Sequence, residues 1–322
     1  MNPVRIGITM GDPAGVGPEI VAKAVSQGGI DKLGKIIIIG DRWVFDKVTN
    51  YKLQIPNSKF IDLRNISHKN FKFGKVKGEY GKAAIEYLKQ AVNLIKTKKI
   101  DCLVTAPISK QAIKLAGYRY NGHTEFLARA FNRPEQDLVM MLFNRYLKIS
   151  LVTRHLPLNK VGSSLSRKSI YKTIITTYRA LGKYFAIKQP VICVAALNPH
   201  AGEGGLLGRE EAKIILPAIK KAKRIVKKII GPIPIDTAVS DASQGQFDAV
   251  IAMYHDQALI PLKILDFHSG VNITLGLNFV RTSPLHGTAF DIAGKNIASN
   301  SSLVSAIKTA VKCTLNLRKT KK

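Results

Sequence analysis

Residues 4–19 carry the strongest indication of the fold, and they read Val4-Arg5-Ile6-Gly7-Ile8-Thr9-Met10-Gly11-Asp12-Pro13-Ala14-Gly15-Val16-Gly17-Pro18-Glu19. The apolar run 4–10 predicts a buried strand, and Pro18 followed by Glu19 is typical of the first turn of a helix. The glycines allow close backbone approach and an anion at the helix N-terminus, although a plain tight turn fits equally well. The spacing is not Gly-x-Gly-x-x-Gly, so it does not support a Rossmann dinucleotide site.

The same alternation of apolar runs and helical patterns continues along the chain and predicts an α/β fold with a largely parallel sheet. Further strands are expected at residues 35–40, 101–105, 148–153, 191–197 and 248–253. Helices are expected at residues 18–25, 82–95, 111–115, 125–131, 167–181 and 210–230. The length of 322 residues suits two domains of about 150 residues each, with a domain boundary expected near residues 117–122.

Composition argues against membrane and secreted classes. The apolar runs are strand-sized, far short of the roughly 20 residues that a membrane-spanning helix needs, and the N-terminus lacks the pattern of a secretion signal. The three cysteines, Cys102, Cys193 and Cys313, are far apart and are expected to be buried free thiols, which favours the cytoplasm.

The net charge of +29, from 50 Lys+Arg against 21 Asp+Glu, has two interpretations. One is a nucleic-acid-binding protein. The other is a lysine-rich chain whose charges lie on solvated helix faces, as in residues 210–230, where a positive field also attracts anionic substrates. No RNP, KH or zinc-finger motif is present, so we expect no nucleic-acid partner.

Three of the seven histidines follow strand-like runs: His155, His200 and His255. Ligands of open α/β sheets bind at the carboxyl ends of the strands, so three imidazoles there can converge on one metal ion. Three protein ligands leave an open position for substrate, as in catalytic sites. Their sequence separations are not a local metal motif, so three unrelated histidines remain an alternative.

Two further segments have the composition of binding loops. His123 and Thr124 begin a predicted helix and can hold a carboxylate or phosphate; alternatively, Thr124 caps that helix and His123 is exposed. In residues 281–295, Arg281 can pair bidentately with an anion, and Asp291 can accept from a ribose hydroxyl, which disfavours a 2′-phosphate. A solvated surface loop is the alternative for this segment.

Six motifs, in order along the chain, resemble the 4-hydroxythreonine-4-phosphate dehydrogenase family of the pyridoxine pathway. Besides residues 281–295, they are Gly11-Asp12-Pro13-Ala14-Gly15-Val16-Gly17-Pro18-Glu19, Asp101-Cys102-Leu103-Val104-Thr105-Ala106-Pro107-Ile108-Ser109-Lys110, Gly122-His123-Thr124-Glu125-Phe126-Leu127-Ala128, Asn198-Pro199-His200-Ala201-Gly202-Glu203-Gly204-Gly205 and Tyr254-His255-Asp256-Gln257.

The resemblance implies a fold like that of isopropylmalate and isocitrate dehydrogenases, with two α/β/α domains and the active site in the cleft between them. Residues 1–118 plus 296–322 would form the first domain and residues 119–295 the second. It also implies a homodimer in which both subunits contribute to each site.

The resemblance also assigns roles to residues. It implies His155, His200 and His255 as metal ligands, Zn, Co or Ni being favoured over Mg by the imidazole donors. The implied substrate-binding residues are His123, Thr124, Lys263, Asn272 and Arg281. The loop 286–295, with His286 and Asp291, is similar to an adenosine-binding loop and implies NAD, with NADP as an alternative.

The reaction that this resemblance implies is oxidation of 4-phosphohydroxy-L-threonine by NAD, followed by loss of CO2 to give 3-amino-2-oxopropyl phosphate. Asp236 and Lys263 are candidates for the general base. The nearest alternative is a paralogous dehydrogenase of a four-carbon sugar-acid phosphate, D-threonate or D-erythronate 4-phosphate. Leu285 and Arg154 depart from the usual family pattern; if the strand continues through these residues, Arg154 should point to the opposite face from His155.

Overall fold

The computed structural model describes residues 2–26, 30–48 and 59–320 of the chain. The strands are β1 (Arg5–Thr9), β2 (Lys35–Gly40), β3 (Phe60–Asp62), β4 (Cys102–Thr105), β5 (Val139–Phe143), β6 (Lys148–Leu151), β7 (Val191–Ala195), β8 (Lys228–Ile233), β9 (Ala249–Ala252), β10 (Val271–Leu275) and β11 (Val280–Pro284). The helices are α1 (Gly17–Ser26), α2 (Arg42–Val48), α3 (Gly78–Lys96), α4 (Lys110–Leu115), α5 (His123–Ala130), α6 (Leu158–Ser164), α7 (Arg167–Phe185), α8 (Leu216–Ala222), α9 (Ile235–Ser243), α10 (His255–Asp266) and α11 (Ser301–Lys319).

The chain folds into two compact units. Unit 1 comprises Met1–Glu135 and Leu277–Leu315, and unit 2 comprises Gln136–Gly276 and Asn316–Lys322. The family resemblance instead predicts the domain boundaries at residues 118/119 and 295/296. The difference follows from packing: Phe131, just after α5, contacts Phe279 with ring centroids 4.8 Å apart, and β11 pairs with β4, so both segments belong to unit 1.

In unit 1, parallel pairing gives the strand order β3-β2-β1-β4-β11. Strands β1, β2 and β4 are largely buried apolar runs, as expected for parallel strands covered on both faces; Ile6, Ile8 and Ile38 are fully buried. The glycine-rich turn after β1 is required by close packing, because a Cβ on Gly17 would lie 2.0 Å from the Met10 carbonyl oxygen. This supports the interpretation of residues 11–17 as a tight strand-to-helix turn.

In unit 2, the strand order is β10-β5-β6-β9-β7-β8. The pairs β10–β5 and β5–β6 are antiparallel, whereas β6–β9, β9–β7 and β7–β8 are parallel. The three strands that precede the predicted metal ligands, β6, β9 and β7, are therefore direct parallel neighbours. Their carboxyl ends lie at one edge.

The predicted α/β class is confirmed, and each strand predicted from the sequence is present within a few residues of its expected bounds. All three cysteines are buried thiols, as expected. Among the described residues, no helix has the length and apolar character needed to cross a membrane.

The helix predicted at residues 210–230 was wrong in its second half. A π-helical turn, Glu211–Ile215, leads into α8, which ends at Ala222, and Lys228–Ile233 forms β8. Ile229 and Ile230 pair with Ile192 and Cys193 of β7, so sheet pairing outweighs the helical periodicity of this segment.

The interpretation of residues 281–295 as a loop was also wrong at its start. Arg281 lies in β11 and is only 2% exposed. Alternation and apolar runs are the features that indicate strands, and the polar composition of β11 shows neither of them.

Candidate functional site

The three predicted metal ligands lie beyond the carboxyl ends of neighbouring parallel strands in unit 2. His155 follows β6, His200 follows β7, and His255 is the first residue of α10 after β9. This is the edge at which open α/β sheets bind their ligands. The fold therefore brings the three imidazoles to one edge although 45 to 55 residues separate them in sequence.

Two of the three imidazoles are close together. The ring centroids of His155 and His255 are 5.6 Å apart, and both rings line a pocket of about 160 Å³ with Arg154 and Tyr254. His200 is exposed and is not among the residues that line this pocket. Across residues 2–26, 30–48 and 59–320, no three His, Cys, Asp or Glu side chains are arranged to hold one ion. The donor chemistry fits a divalent metal, and the structure brings two of its three predicted ligands together.

The backbone at two of these histidines is in an uncommon conformation. His155 has φ +23° and His200 has φ +50°, values that residues other than glycine seldom adopt. His200 begins a run of five left-handed residues that ends at Gly204. Such strain persists only where surrounding contacts hold it, and it is concentrated at functional sites.

A buried carboxylate holds the loop that carries His200. Glu211, 5% exposed, accepts hydrogen bonds from Leu197 N at 2.9 Å and Asn198 N at 2.8 Å through Oε1, and from Asn198 Nδ2 at 3.0 Å through Oε2. A Cβ on Gly202 would lie 2.8 Å from Glu211 Oε2, so the carboxylate also fills the inside of this loop. The glycine at this position thus reflects close packing around Glu211.

His255 is oriented by its neighbour, because its Nδ1 lies 2.6 Å from Asp256 Oδ1. A carboxylate that accepts from Nδ1–H leaves the Nε2 lone pair for a metal. Arg154 lines the same pocket as His155. The expectation of opposite faces required the strand to continue to His155; β6 ends at Leu151 and His155 has a positive φ, so strand alternation does not apply to this pair.

Unit 1 contains a second group of predicted residues. The buried guanidinium of Arg281 donates to Thr105 Oγ1 at 2.6 Å, and burial lowers the Arg281 pKa to about 9. His123, at the start of α5, lies close enough for the Arg281 charge to act on it. A desolvated cation at the end of β4, beside a helix N-terminus, suits a phosphate or carboxylate.

The surroundings of His123 favour its neutral form. Burial and, to a lesser extent, the Arg281 charge lower the pKa of His123 well below its usual value. Its Nε2 is shielded from solvent and has no hydrogen-bond partner among the described residues. The expectation that Thr124 caps this helix was wrong, because α5 already begins at His123 and Gly122 is its N-cap residue.

The loop predicted to bind adenosine, residues 286–295, packs on the glycine-rich turn. Val16 N donates to the Thr288 carbonyl oxygen at 2.9 Å, and a Cβ on Gly15 would lie 3.0 Å from that oxygen. Asp291 is exposed. His286 Nδ1 lies 2.9 Å from the Gly287 carbonyl oxygen, and burial lowers the pKa of His286.

The remaining predicted residues all lie in unit 2. Asn272 is in β10, and its Oδ1 is shielded with no hydrogen-bond partner among the described residues. Lys263 is exposed on α10, with Nζ 5.8 Å from the Phe267 ring centroid. Asp236 is exposed in the first turn of α9, after the carboxyl end of β8.

Three further residues lie in the sequence motifs, although the sequence gives them no role. Thr105 is the partner of Arg281, and Gln257 connects two strand ends. Asp12 is a fully buried carboxyl group, whose pKa burial raises to about 7. Side-chain burial and hydrogen-bond partners depend on the fold, so the sequence motifs mark these three positions without showing what each residue does.

Comparison with known proteins identifies the family. A family model described as "Pyridoxal phosphate biosynthetic protein PdxA" matches residues 32–310. The chain belongs to the PdxA family. The family predicted from the six motifs is therefore confirmed.

Relatives of this PdxA-family protein cover its full length. A protein of Sulfurihydrogenibium sp., named 4-hydroxythreonine-4-phosphate dehydrogenase, is 41% identical over 96% of this chain and 98% of its own. A Fusobacterium nucleatum protein, named as a D-threonate 4-phosphate dehydrogenase, is 38% identical over 98% of this chain and 99% of its own. Two kinds of substrate are thus named among relatives of similar identity.

Solved structures agree with the architecture. The 4-hydroxythreonine-4-phosphate dehydrogenase of Klebsiella pneumoniae has a TM-score of 0.84 and 34% identity, with 98% of each chain covered. That of Burkholderia phymatum has a TM-score of 0.78 and 35% identity, with 97% of this chain and 98% of its own covered. The fold of this PdxA-family chain is therefore that of these dehydrogenases throughout.

Proposed function

We propose that this PdxA-family chain is a 4-hydroxythreonine-4-phosphate dehydrogenase of pyridoxal 5′-phosphate biosynthesis. It oxidises the secondary alcohol of 4-phosphohydroxy-L-threonine with NAD, and loss of CO2 then yields 3-amino-2-oxopropyl phosphate. The observation that carries the proposal is the buried Arg281 guanidinium beside neutral His123, in a chain with full-length relatives of that name. A buried cation of this kind suits an anionic, phosphorylated substrate.

The chain's own residues bind and orient this substrate. Arg281 and Lys263 supply positive charge for its phosphate and carboxylate, and neutral His123 and Thr124 supply hydrogen bonds. Asn272 offers the shielded acceptor Oδ1, which a substrate donor would satisfy. Asp236 is a candidate general base, and Lys263 is the alternative, in which case it acts as a neutral amine and Arg281 alone supplies the positive charge; both candidates are exposed and thus able to exchange a proton with water.

The cofactor is NAD, held by the loop 286–295 of unit 1. Exposed Asp291 accepts from the ribose hydroxyls, and its negative charge disfavours the 2′-phosphate of NADP. The shielded Nε2 of His286 is a further polar contact for the dinucleotide.

The reaction also requires a divalent ion, with His155, His200 and His255 of unit 2 as its ligands. The ion would polarise the substrate's hydroxyl oxygen and then the keto group during loss of CO2. Imidazole ligands favour Zn, Co or Ni over Mg. In support, two of the rings are adjacent, Asp256 orients one of them, and the third residue lies at the same strand edge.

The protein acts as a homodimer, with both subunits contributing to each site. Several large apolar side chains of unit 2 are exposed in a single chain: Leu158 is 72% exposed, Leu206 85% and Ile264 77%. Covering such side chains with a second copy removes apolar surface from water. Light scattering should give twice the 35.3 kDa of one chain, and a monomer would contradict this part of the proposal.

NADH formation tests the reaction directly. The purified protein, supplied with a divalent metal, should reduce NAD with 4-phosphohydroxy-L-threonine and release CO2. NADP should be the poorer cofactor because of Asp291. A protein that reduces neither cofactor with this substrate, whether supplied with Zn, Co, Ni or Mg, would contradict the proposal.

The second candidate function is oxidation of a four-carbon sugar-acid phosphate, D-threonate or D-erythronate 4-phosphate. It is favoured by the 38% identical Fusobacterium nucleatum relative, which covers 98% of this chain. The same NADH assay with both substrates separates the two functions. A higher kcat/KM for the sugar acid would assign this chain to the second function.

The metal site is tested through its ligands. The His200→Ala variant should lose the ion and the activity while keeping its fold, because His200 is exposed and its removal leaves no cavity in the core. His268→Ala, which also removes an exposed histidine of unit 2, is the matched control. A His200→Ala protein with normal metal content would refute the assignment.

A further inference from the structure

We propose that Gln257 is a positioning residue that fixes the three chain segments carrying His155, His200 and His255 relative to one another. The inference rests on the metal site proposed above. It concerns a residue that has no metal-ligating chemistry itself and is buried near the site, 5% exposed.

The side-chain amide of Gln257 joins two of these segments. Its Oε1 accepts from Met253 N at 2.8 Å, and its Nε2 donates to the Ala196 carbonyl oxygen at 2.9 Å. Met253 lies between β9 and His255, and Ala196 lies between β7 and His200. An amide supplies a donor and an acceptor on one planar group, so neither a carboxylate nor an apolar side chain reproduces both bonds.

Thr153 connects the third segment, which carries His155, to the backbone of Met253. Its backbone N and its Oγ1 both donate to the Met253 carbonyl oxygen, at 3.1 Å and 2.7 Å. Thr153 is 8% exposed and precedes His155 by two residues. The backbone of Met253 is thus bonded through its N–H to Gln257 and through its carbonyl oxygen to Thr153. We call these three residues and Ala196 the strand-end network.

The network begins where regular sheet pairing stops. The paired registers end at Leu151↔Ala252 and at Val194↔Ile251, before any of the three histidines. Beyond those points, regular strand pairing no longer fixes the relative positions of the three segments, and the hydrogen bonds of the strand-end network hold them instead. Metal ligands must be held to within a fraction of an ångström, so a supporting network has a direct effect on affinity.

A positioning role is distinguishable from a purely structural one. A residue that only stabilises the fold raises the unfolding free energy and has no influence on the metal affinity of the folded protein. When a positioning residue is replaced, protein that is still folded binds metal more weakly, and the coordination geometry that Co²⁺ absorption reports is changed.

The experiment measures Co²⁺ and Zn²⁺ affinity of the full-length metal-free protein by competition with a chromophoric chelator. Gln257→Met preserves the approximate size and removes both hydrogen bonds, and Gln257→Glu retains the acceptor for Met253 N but loses the donor to Ala196. Both variants should bind metal about 10- to 100-fold more weakly than wild type, with an altered Co²⁺ spectrum. Gln246→Met, at an exposed glutamine of unit 2, should match wild type.

A second pair of variants keeps the test decisive if the Gln257 variants do not fold. Thr153→Val removes the hydroxyl at nearly constant volume and should weaken metal binding, whereas Thr153→Ser keeps the hydroxyl and should bind metal as wild type does. Wild-type affinity and an unchanged Co²⁺ spectrum in a folded Gln257 variant, or in Thr153→Val, would overturn the positioning role alone. If the wild-type protein itself binds neither metal, the proposed metal site fails, and the positioning role with it.

Discussion

The guanidinium of Arg281 and the carboxyl group of Asp12 are ionisable groups buried in unit 1. Burial favours the neutral form of each group. It lowers the Arg281 pKa to about 9 and raises the Asp12 pKa to about 7. Removing a charge from water is unfavourable unless a partner compensates for it. Substituting Arg281 should therefore change substrate binding, and substituting Asp12 should change how the stability of the protein depends on pH.

Arg281→Met should raise KM for the phosphorylated substrate by about 10- to 100-fold, because it removes charge-assisted hydrogen bonds worth roughly 1.5–3 kcal/mol. Steady-state NADH formation measures this effect. Arg179→Met, at an exposed arginine of α7, is the matched control and should leave KM unchanged. An unaltered KM in a folded Arg281→Met protein would remove Arg281 from the substrate site.

Asp12 makes the stability of the folded protein depend on pH. Its folded-state pKa is raised from 3.8 to about 7, so the folded protein retains a proton that the unfolded chain releases above about pH 4. Its contribution to stability is fully present below about pH 4 and is lost as the pH rises to about 7. The difference between a pKa of 3.8 and one of about 7 corresponds to a change of about 4 kcal/mol in the free energy of unfolding.

The Asp12→Asn variant tests this dependence, since Asn keeps an oxygen to accept from Ala14 N and cannot ionise. Urea unfolding between about pH 5 and pH 8 should show wild type losing stability relative to Asp12→Asn as the pH rises. The exposed Asp46 provides the control Asp46→Asn, which should follow the wild-type profile. Parallel profiles for wild type and Asp12→Asn would show that Asp12 does not titrate as described.

At the scale of secondary structure, residues 210–233 show how tertiary contacts select among local preferences. The apolar stripe along residues 214–229 fits a helix, yet residues 228–233 pair with β7 as a strand. A strand beside β7 buries Ile229 and satisfies its backbone groups, which outweighs a modest helical preference. The short π-helical turn at the start of this segment places Glu211 under the loop of His200.

Glu211→Ala should loosen the loop that carries His200, because the amides of Leu197 and Asn198 lose their acceptor. Hydrogen exchange should show those two amides exchanging at least about tenfold faster, as a lost charged hydrogen bond of about 1.5–3 kcal/mol implies. Lys213→Ala, an exposed position in the same π-helical turn, is the control. Unchanged protection in Glu211→Ala would show that the left-handed loop is held by other contacts.

At the scale of the whole molecule, the net charge of +29 creates a positive field that attracts anions. The same field permits non-specific association with nucleic acid through its phosphates. Such binding depends on release of counterions and therefore weakens steeply as salt is added.

Affinity for a random-sequence DNA duplex should fall by about a thousandfold or more between roughly 50 and 200 mM salt, if about six or more phosphates are contacted. Fluorescence anisotropy of labelled DNA measures it. NADH formation should persist at the higher salt, because Arg281 is buried and screened less than surface charges. Tight DNA binding that survives the higher salt would support the nucleic-acid-binding alternative.

The sequence alone determined the α/β class, the family and the six strands with clear apolar runs. These properties are local: hydrophobic periodicity fixes the type of an element, and contiguous motifs identify the family. It also placed His155, His200 and His255 at strand ends, because an apolar run followed by a histidine can be read directly along the chain.

The tertiary structure decided which strand ends are neighbours, that β8 and β11 are strands, and which polar groups are buried. Strand order brings His155 beside His255, and the fold buries Arg281, Asp12 and Gln257. Desolvation and hydrogen-bond partners arise from residues far apart in sequence, so no local pattern contains them. The roles of Gln257 and Glu211 beside the candidate ligands become apparent only when the strands are assembled.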